Sequence, residues 1–310
     1  MNLVDFNKRF PDEASCIAYF KSKREADGLK CPNCGCVHLK WKSYRNQWEC
    51  KECGHRIGLR AGTVMHSSKL PLSVWFTAIH LMTATKKSFS AKEMQRQLGI
   101  SCYQTVWEMM HKLRDVMGQR DGNYKLKGSI ELDDAFFTIS VESSDEKLKR
   151  GRGSQRKSKV LVIAESVQTD NDKRSISKSV GHIKMFVLDD LKAPTLDVQV
   201  VKWINNNADI VTDDSKSYIN FKNLVNSHMS QVIEPKNISK VLPWVHVAIG
   251  NAKRLLLDVH HDIQADFLQS YLNEFCFKFN RRKLDMFDRL MNTCTAYRPA
   301  FMHRVYGKVA

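Results

Sequence analysis

Two Cys-x-x-Cys turns constrain this chain more than any other feature. They are Cys31-Pro-Asn-Cys34 and Cys50-Lys-Glu-Cys53, and fifteen residues separate them. Four thiolates at this spacing can complete a tetrahedral zinc shell with Zn–S distances of about 2.3 Å. Such a shell leaves no position for water, so we expect a structural zinc ion in a ribbon whose residues 40–49 form a hairpin. Disulfides or ordinary buried thiols fit less well, because the sequence shows no secretory signal.

The charge of the chain indicates a polyanionic partner. Its formal net charge is +16, and residues 1–128 carry +11 of it against +5 for residues 129–310. A basic half that also holds a zinc ribbon favours nucleic acid, where phosphate contacts and counterion release supply affinity. A merely soluble basic protein is the alternative that charge alone leaves open. No apolar run is long enough to predict a membrane span, and the odd number of cysteines favours a reducing compartment, so we expect a cytoplasmic protein.

Residues 73–117 predict three helices with a glycine-containing turn between the last two. The second stretch, 90–98, starts with Ser90 three residues before Glu93, which is typical of a capping box. The third, 103–117, repeats apolar residues at helical spacing. Helix, short turn and helix predict a helix-turn-helix, and a generic helical bundle remains the alternative. The side chains off the apolar face of the third helix, which we expect to contact DNA, are Gln104, Thr105, Glu108, Lys112 and Arg114.

Beyond Gly128 the pattern changes to β-branched and apolar runs that predict a layered α/β sheet with helices on its faces. The expected strands are 129–140, 159–168, 180–188, 208–212 and 231–233, and the expected helices are 196–206, 216–225, 245–257 and 265–279. The expected domains are 1–62 (a helix at 5–27 plus the ribbon), 70–122 (helix-turn-helix), 128–290 (the α/β domain) and a C-terminal tail, 291–310.

Two aspartates interrupt or end apolar strands of this α/β domain. Asp133 lies in the first predicted strand, and Asp213 follows the fourth, where open α/β sheets place ligand sites. An apolar run is a poor place for a charge unless the charge binds something. For Asp213 and its neighbour Asp214, a helix cap or turn is the simpler alternative.

Several motifs occur along the chain in an order that identifies a family. They are Phe10-Pro-Asp-Glu13, the Cys-Pro-x-Cys-Gly ribbon, Gly99-Ile-Ser with Lys112-Leu-Arg, Glu131-Leu-Asp133-Asp, Thr212-Asp213 with Tyr218, His246 with Asn251-Ala-Lys253-Arg, and Tyr271-Leu-Asn-Glu-Phe275 with Phe279-Asn-Arg-Arg282. From about Phe6 to Arg282 the chain resembles bacterial insertion-sequence transposases with an N-terminal zinc ribbon, the ISXO2-like group related to the Merlin superfamily.

This resemblance implies an RNase H-like catalytic fold that cleaves and joins transposon-end DNA with Mg²⁺ or Mn²⁺. The acidic triad of the family falls on Asp133, Asp213 and, in the branch with asparagine third, Asn251, with a lysine at Lys253. Asn251 taken alone fits a helix cap equally well. The resemblance also implies double-stranded DNA as partner and at least a dimer when two ends are joined. A catalytically inactive DNA-binding relative is the principal alternative, and a nuclease or resolvase that cuts without joining is another.

Two further features bear on DNA binding and activity. Residues 147–159 hold seven cations and no acid, so Arg150 and Arg152 are candidate backbone contacts, although a solvated loop is the simpler interpretation. The chain also departs from the family pattern, which usually has glycines after the first acidic strand, immediately after the second aspartate and around a His-His pair. Here those places hold Phe137-Thr-Ile-Ser, Asp214 and Asp258-Val-His260-His261-Asp262. The extra acids, whose role is open and which put activity in question, are Asp134, Asp214, Asp258 and Asp262.

Overall fold

The computed structural model describes residues 1–141, 151, 154–168, 178–232 and 241–300. The chain divides into two compact units. The first comprises Met1–Arg120 together with the C-terminal residues from Arg281, and the second comprises Asp121–Asn280. Within the described residues, none of the helices combines the length and the apolarity that crossing a bilayer requires.

The first unit begins with two helices, α1 (Leu3–Arg9) and α2 (Glu13–Ala26), where the sequence predicted one. Pro11 and Asp12 separate them. The Asp12 carboxylate accepts a hydrogen bond from the Ser15 backbone N–H at 2.8 Å, and Ser15 closes the reciprocal half of a capping box. The side chain of an N-cap satisfies N–H groups that the first helical turn leaves unpaired, so a new helix starts here.

A three-stranded antiparallel sheet follows α2. It comprises β1 (Leu39–Lys42), β2 (Gln47–Cys50) and β3 (Arg56–Gly58), in the order β1-β2-β3. Asn46 takes the left-handed conformation (φ +48°) just before β2, which closes the predicted hairpin. The hairpin is therefore confirmed, and β3 is an addition that the sequence did not predict.

Three helices complete the N-terminal part of the unit: α3 (Leu72–Ala84), α4 (Ala91–Leu98) and α5 (Tyr103–Asp121). Ser90 caps α4 through its hydroxyl, which accepts from the Glu93 N–H at 3.1 Å. Gly99, at φ +63°, ends α4 in the left-handed conformation that favours glycine. The helix, turn and helix that the sequence predicted are present.

The last described helix, α9 (Met286–Ala296), belongs to the first unit. Its Phe287 ring packs against Phe6 and Phe10 with centroids 5.8 and 5.6 Å apart. The boundary predicted at residue 290 therefore falls inside a helix. Residues 286–296 carry apolar positions at helical spacing that complete the core around α1 and α3, which is why they are not a tail.

The second unit is built on a five-stranded mixed sheet in the order β6-β5-β4-β7-β8. Its strands are β4 (Ser129–Thr138), β5 (Lys157–Gln168), β6 (Lys178–Leu188), β7 (Asp209–Asp213) and β8 (Ser227–Gln231). The first three form an antiparallel meander, and β7 and β8 run parallel to β4. The central strand β4 thus joins the meander to the parallel pair.

Helices cover both faces of this sheet. One face packs against α7 (Pro243–Val259) and α8 (Ala265–Asn280), and the other packs against α6 (Ala193–Trp203) and two 3-10 turns at Lys216–Tyr218 and Phe221–Asn223. Along β4, Ala135 and Phe137 enter the α7 layer, while Ile130 and Leu132 enter the α6 layer. Alternation along a strand thus assigns each side chain of β4 to one face. A mixed sheet between helical layers fits an RNase H-like domain.

Candidate functional site

The two Cys-x-x-Cys turns converge on one cluster in the first unit. The sulfurs of Cys31, Cys34, Cys50 and Cys53 all lie within 4.8 Å of one another, and the closest pairs are 3.5 Å apart. Ligands of a tetrahedral zinc ion are about 3.8 Å apart at Zn–S distances of about 2.3 Å. The four thiols therefore fit a zinc ion and leave no ligand position for water.

The two turns of this cluster share one backbone geometry. The Gly35 N–H donates to the Cys31 carbonyl at 2.8 Å, and the Gly54 N–H donates to the Cys50 carbonyl at 3.0 Å. Both glycines have positive φ, +73° and +69°, which a side chain disfavours. The glycine after each cysteine pair thus lets the chain turn back beneath the sulfurs.

A buried acid fixes the start of α7 against β4. The carboxylate of Glu131, 6% exposed, accepts hydrogen bonds from the backbone N–H groups of Trp244 (2.7 Å) and Val245 (3.0 Å). A negative charge at a helix N-terminus satisfies unpaired donors and complements the helix dipole. Burial raises the pKa of Glu131, against the lowering effect of these two hydrogen bonds. This contact sets the position of α7 along the sheet.

Asp133, two residues after Glu131 on β4, faces His246, two residues after Trp244 on α7. The Asp133 Oδ2 atom lies 3.7 Å from His246 Nδ1, and the side chains are 15% and 28% exposed. Burial lowers the pKa of His246, which favours the neutral imidazole. The Nε2 atom of His246 is buried and has no hydrogen-bond partner among the described residues. The ring therefore presents an unused nitrogen beside a partly exposed carboxylate.

Asp213 ends the strand next to Asp133. The parallel register pairs Ser129 with Asp209 and Glu131 with Val211. Continuing this register by two residues puts Asp213 level with Asp133, and alternation turns both side chains toward the α7 layer. The Asp213 Oδ1 atom also accepts from the Ser215 N–H at 3.3 Å, which shapes the turn after β7. The sheet thus brings together the two aspartates that the sequence singled out.

Tyr218 stands beneath this pair of strands and is 1% exposed. Burial first, and then the charges of Asp134, Asp213 and Asp133, raise the pKa of its hydroxyl, which donates to Asp134. Asp134 follows Asp133 on β4 and turns to the opposite face of the sheet. One of the extra acids therefore has a structural partner and does not face α7.

The two other predicted catalytic residues, Asn251 and Lys253, lie on different faces of α7. Asn251 is exposed and lies five positions after His246, which is about 140° around a helix. Lys253 lies seven positions after His246, which brings it back to the same face within about 20°. Its ammonium group is 5.7 Å from the centre of the Phe137 ring on β4. The structure thus brings His246 and Lys253 to the face that meets β4, and it turns Asn251 away from that face.

The predicted DNA-contacting residues of α5 differ in exposure. Gln104 is exposed, and Thr105, Glu108 and Lys112 are half-buried. Arg114 is 1% exposed, so its predicted contact with DNA is wrong for this arrangement. The step from Lys112 to Arg114 turns the helix by about 200°, which puts Arg114 on the inner face with Leu113 and Met117. Arg150 and Arg152 lie outside the described residues.

The contacts that position this site were the part that sequence reasoning missed. Glu131 was noted only as a neighbour of Asp133, and Tyr218 only as a motif residue. A signal was nevertheless available for Glu131: alternation along β4 assigns it to the same face as Asp133, where a second buried acid needs a donor. The backbone donors at the start of α7 cannot be foreseen in this way, because they depend on how the helix docks.

Comparison with known protein families gives two matches. Residues 125–280 match the ISXO2-like transposase domain, and residues 11–56 match the transposase zinc-ribbon domain. The first match spans the second unit and includes Asp133, Asp213 and α7. The second contains all four clustered cysteines. No curated protein sequence matched this chain.

Solved structures show only a distant likeness, to the mariner transposase Mos1. The pre-cleavage Mos1 transpososome has 8% identity and a TM-score of 0.28, covering 72% of this chain and 78% of that chain. The Mos1 strand transfer complex has 11% identity and a TM-score of 0.27, covering 72% and 77%. The Mos1 paired-end complex with the left transposon end has 11% identity and a TM-score of 0.26, covering 72% and 78%. At such low scores and identities, they establish neither a shared fold nor a shared function.

Proposed function

The chain belongs to the ISXO2-like transposase family, and from this premise we propose that it cleaves and joins DNA at the ends of an insertion sequence. The observation that supports the proposal is the parallel register of β4 and β7, which pairs Glu131 with Val211. Continued by two residues, this register would put Asp133 level with Asp213 on one face of the sheet. The family match covers both strands. Metal-dependent cleavage and joining of phosphodiesters use carboxylates that can bind divalent cations.

Asp133 and Asp213 are the residues we propose as ligands of Mg²⁺ or Mn²⁺. Both are oxygen donors at least partly accessible to solvent, as these hard cations require. A divalent cation supplies activation of the attacking oxygen and stabilisation of the leaving oxygen. Few protein ligands suffice, because substrate phosphates commonly complete the coordination of such ions.

The residues of α7 supply the remaining parts of the site. Neutral His246 lies 3.7 Å from the Asp133 carboxylate, and its Nε2 atom is buried. In this proposal Lys253, on the same face of α7, contacts a DNA strand that crosses the two acids. The resemblance assigns the third catalytic position to Asn251, and we keep that assignment as a proposal separate from the role of His246.

The first unit is the DNA-binding part in this proposal. The ribbon holds its zinc ion as a structural centre, and α4 and α5 act as a helix-turn-helix that recognises terminal inverted repeats. Exposed Gln104 and half-buried Lys112 are the contacts that α5 offers. Joining two ends requires two bound copies, so we include a homo-oligomer during the reaction. As a bacterial transposase, the protein would act on DNA in the cytoplasm.

One experiment tests the catalytic part of the proposal. The full chain is incubated with Mn²⁺ and duplexes that carry the ends of its element, and strand cleavage is followed on denaturing gels. We expect cleavage by the unmodified chain and none by Asp133→Asn or Asp213→Asn. The matched control is Asp189→Asn, which changes an exposed acid just beyond β6 in the same unit.

The alternatives predict other results. Equal cleavage by the unmodified chain and by Asp133→Asn would refute these catalytic residues. Binding without cleavage by any variant would favour an inactive, DNA-binding relative. Cleavage without a joined product would favour a nuclease or resolvase. Inverted repeats on both sides of the gene would support an intact mobile element.

A further inference from the structure

A cavity of about 780 Å³ opens in the second unit beyond the two aspartates. It lies where β4 ends and where the last turns of α7 lead into residues 260–263. The volume lies within the range of about 300–1,000 Å³ that is usual for small-molecule and cofactor pockets. Of the catalytic residues proposed above, Lys253 lines it, whereas Asp133, Asp213 and His246 are not in its lining.

Positive charge dominates the lining of this cavity. Among the described residues of the lining, Arg156, Lys157 and Lys253 contribute three cations and Asp262 contributes one acid. Arg156 and Lys157 are exposed and belong to the basic run at 147–159 that the sequence singled out. Charges of one sign gathered in a concave site raise the local concentration of an oppositely charged ligand. The cavity is therefore suited to an anion.

Much of the remaining lining is apolar, which a phosphate group alone would not require. Phe137 contributes to the floor, and Leu257, although 62% exposed, lines the same space. The hydroxyl oxygen of Ser140 also lies here, buried and without a hydrogen-bond partner among the described residues. Apolar walls, a free hydroxyl and flanking cations together match a planar base attached to a phosphate.

Helix α7 connects the cavity to the acids. His246, Lys253 and Leu257 fall on one stripe of the helix, since steps of seven and eleven residues return within about 20° of the same direction. At 1.5 Å per residue the stripe reaches the cavity about 10–17 Å from His246. A DNA strand advances about 3.4 Å per nucleotide along a duplex. The cavity therefore lies within about five nucleotides of a phosphate held at Asp133.

We propose that this cavity binds an unpaired nucleotide of the DNA strand whose phosphate lies at Asp133 and Asp213. Arg156 and Lys157 hold its phosphate, and the base packs against Leu257 and the small part of the Phe137 ring that reaches the cavity, with Ser140 as a hydrogen-bonding partner. The inference rests on the proposed function, because it takes the bound strand to be the substrate. It adds a preference for DNA that is locally unpaired beside the cleaved phosphate.

The test compares two fluorescein-labelled duplexes of one sequence, one fully paired and one with a short unpaired flap. Fluorescence anisotropy gives the affinity of the full chain for each with no added Mg²⁺ or Mn²⁺ and no chelator, so that no cleavage occurs and the structural zinc ion stays bound. We expect the flapped duplex to bind about tenfold more tightly, since stacking contributes about 1–3 kcal/mol per base. Arg156→Glu and Leu257→Asp should bring the ratio of the two affinities close to one.

Two matched variants separate this effect from general electrostatics. Lys222→Glu reverses an exposed cation elsewhere in the same unit, and Val198→Asp alters an apolar residue of α6 that is 61% exposed. Both should retain the preference for the flapped duplex. Equal affinity of the unmodified chain for both duplexes, or a ratio unchanged in Arg156→Glu and Leu257→Asp, would overturn the inference. Because the ratio is measured without added Mg²⁺ or Mn²⁺, failure of the cleavage assay leaves it unaffected, and the two proposals fail independently.

Discussion

The carboxylate of Glu131 accepts a hydrogen bond from the backbone N–H of Trp244 at 2.7 Å, which fastens the N-terminus of α7 to the central strand. Asp133 and His246 each follow two residues later and face one another. A strand residue advances about 3.3 Å and a helix residue about 1.5 Å. Asp133 and His246 are therefore only a few ångströms from the Glu131–Trp244 hydrogen bond, and this bond fixes their relative position. Glu131 is therefore a positioning residue for the acids.

Glu131→Ala should destabilise the second unit by about 1–3 kcal/mol, because it leaves two backbone donors without their acceptor. Glu131→Gln keeps an acceptor oxygen and should cost less. Burial raises the pKa of Glu131 above its ordinary value of 4.5, so its contribution to stability falls as pH rises from that value through the folded-state pKa. Glu131→Gln should remove this dependence of stability on pH, because the amide does not titrate. Urea unfolding at several pH values measures both effects. Equal stability of the two variants would contradict the proposed role of the Glu131 hydrogen bonds.

The two faces of α7 give a second prediction. His246→Ala should reduce metal-dependent cleavage by about 10–100-fold, the usual cost of removing a group that orients a metal ligand. From the helix geometry alone, Asn251→Ala should cost less, because Asn251 lies on another face. Cleavage rates across a Mn²⁺ titration show which of the two substitutions reduces cleavage more. A larger loss in Asn251→Ala would put Asn251 at the metal, as the resemblance implies, and would require α7 to present a different face to β4 on DNA.

Local patterns in the sequence predicted most of the second unit. The strands 159–168 and 180–188 and the helix 265–279 were each predicted within two residues of the observed bounds, because β-branched runs and helical periodicity depend on neighbours along the chain. The face of α7 that meets β4 was not predictable in the same way. It depends on which of several apolar stripes docks, and that is decided by contacts between residues more than a hundred positions apart.

Arg114 illustrates the same limit in the first unit. A long cationic side chain off an apolar stripe predicts exposure, yet Arg114 is buried in the described structure. Helix α9, which the sequence assigned in part to a tail, supplies Phe287 to the core of that unit. Both cases depend on packing between segments that are distant in the sequence, which the local pattern of one helix does not contain.

Gly181 and Gly250 form a natural pair for testing close packing in the second unit. A Cβ atom on Gly181 would lie 2.7 Å from a methyl group of Val167 and 2.9 Å from Glu165, opposite a bulge of β5. Gly181→Ala should therefore destabilise the unit by about 1–3 kcal/mol. Gly250→Ala adds a methyl group to open space within α7 and should stabilise by about 0.5–1 kcal/mol. Thermal unfolding would contradict this account if both substitutions shifted stability in the same direction.

Removing one zinc ligand should affect the first unit alone. Cys31→Ser should lose zinc and with it DNA affinity, because four thiolates are needed to close the shell and a structural zinc contributes directly to folding. Residues 129–280 should keep their fold. Elemental analysis, DNA binding and circular dichroism measure the three effects. Cys102→Ser, an exposed cysteine outside the cluster, is the matched control, and unchanged zinc content in Cys31→Ser would rule out this site.

Lys112 and Arg114, two residues apart on α5, should respond to substitution in different ways. Lys112 is half-buried and Arg114 is 1% exposed. If α5 lies against DNA, Lys112→Ala removes one phosphate contact, and the slope of log affinity against log salt should fall by about one. Arg114→Ala should leave that slope unchanged and instead lower the melting temperature, since it removes buried packing. Equal salt slopes in the unmodified chain and Lys112→Ala would mean that DNA lies against another face of the first unit.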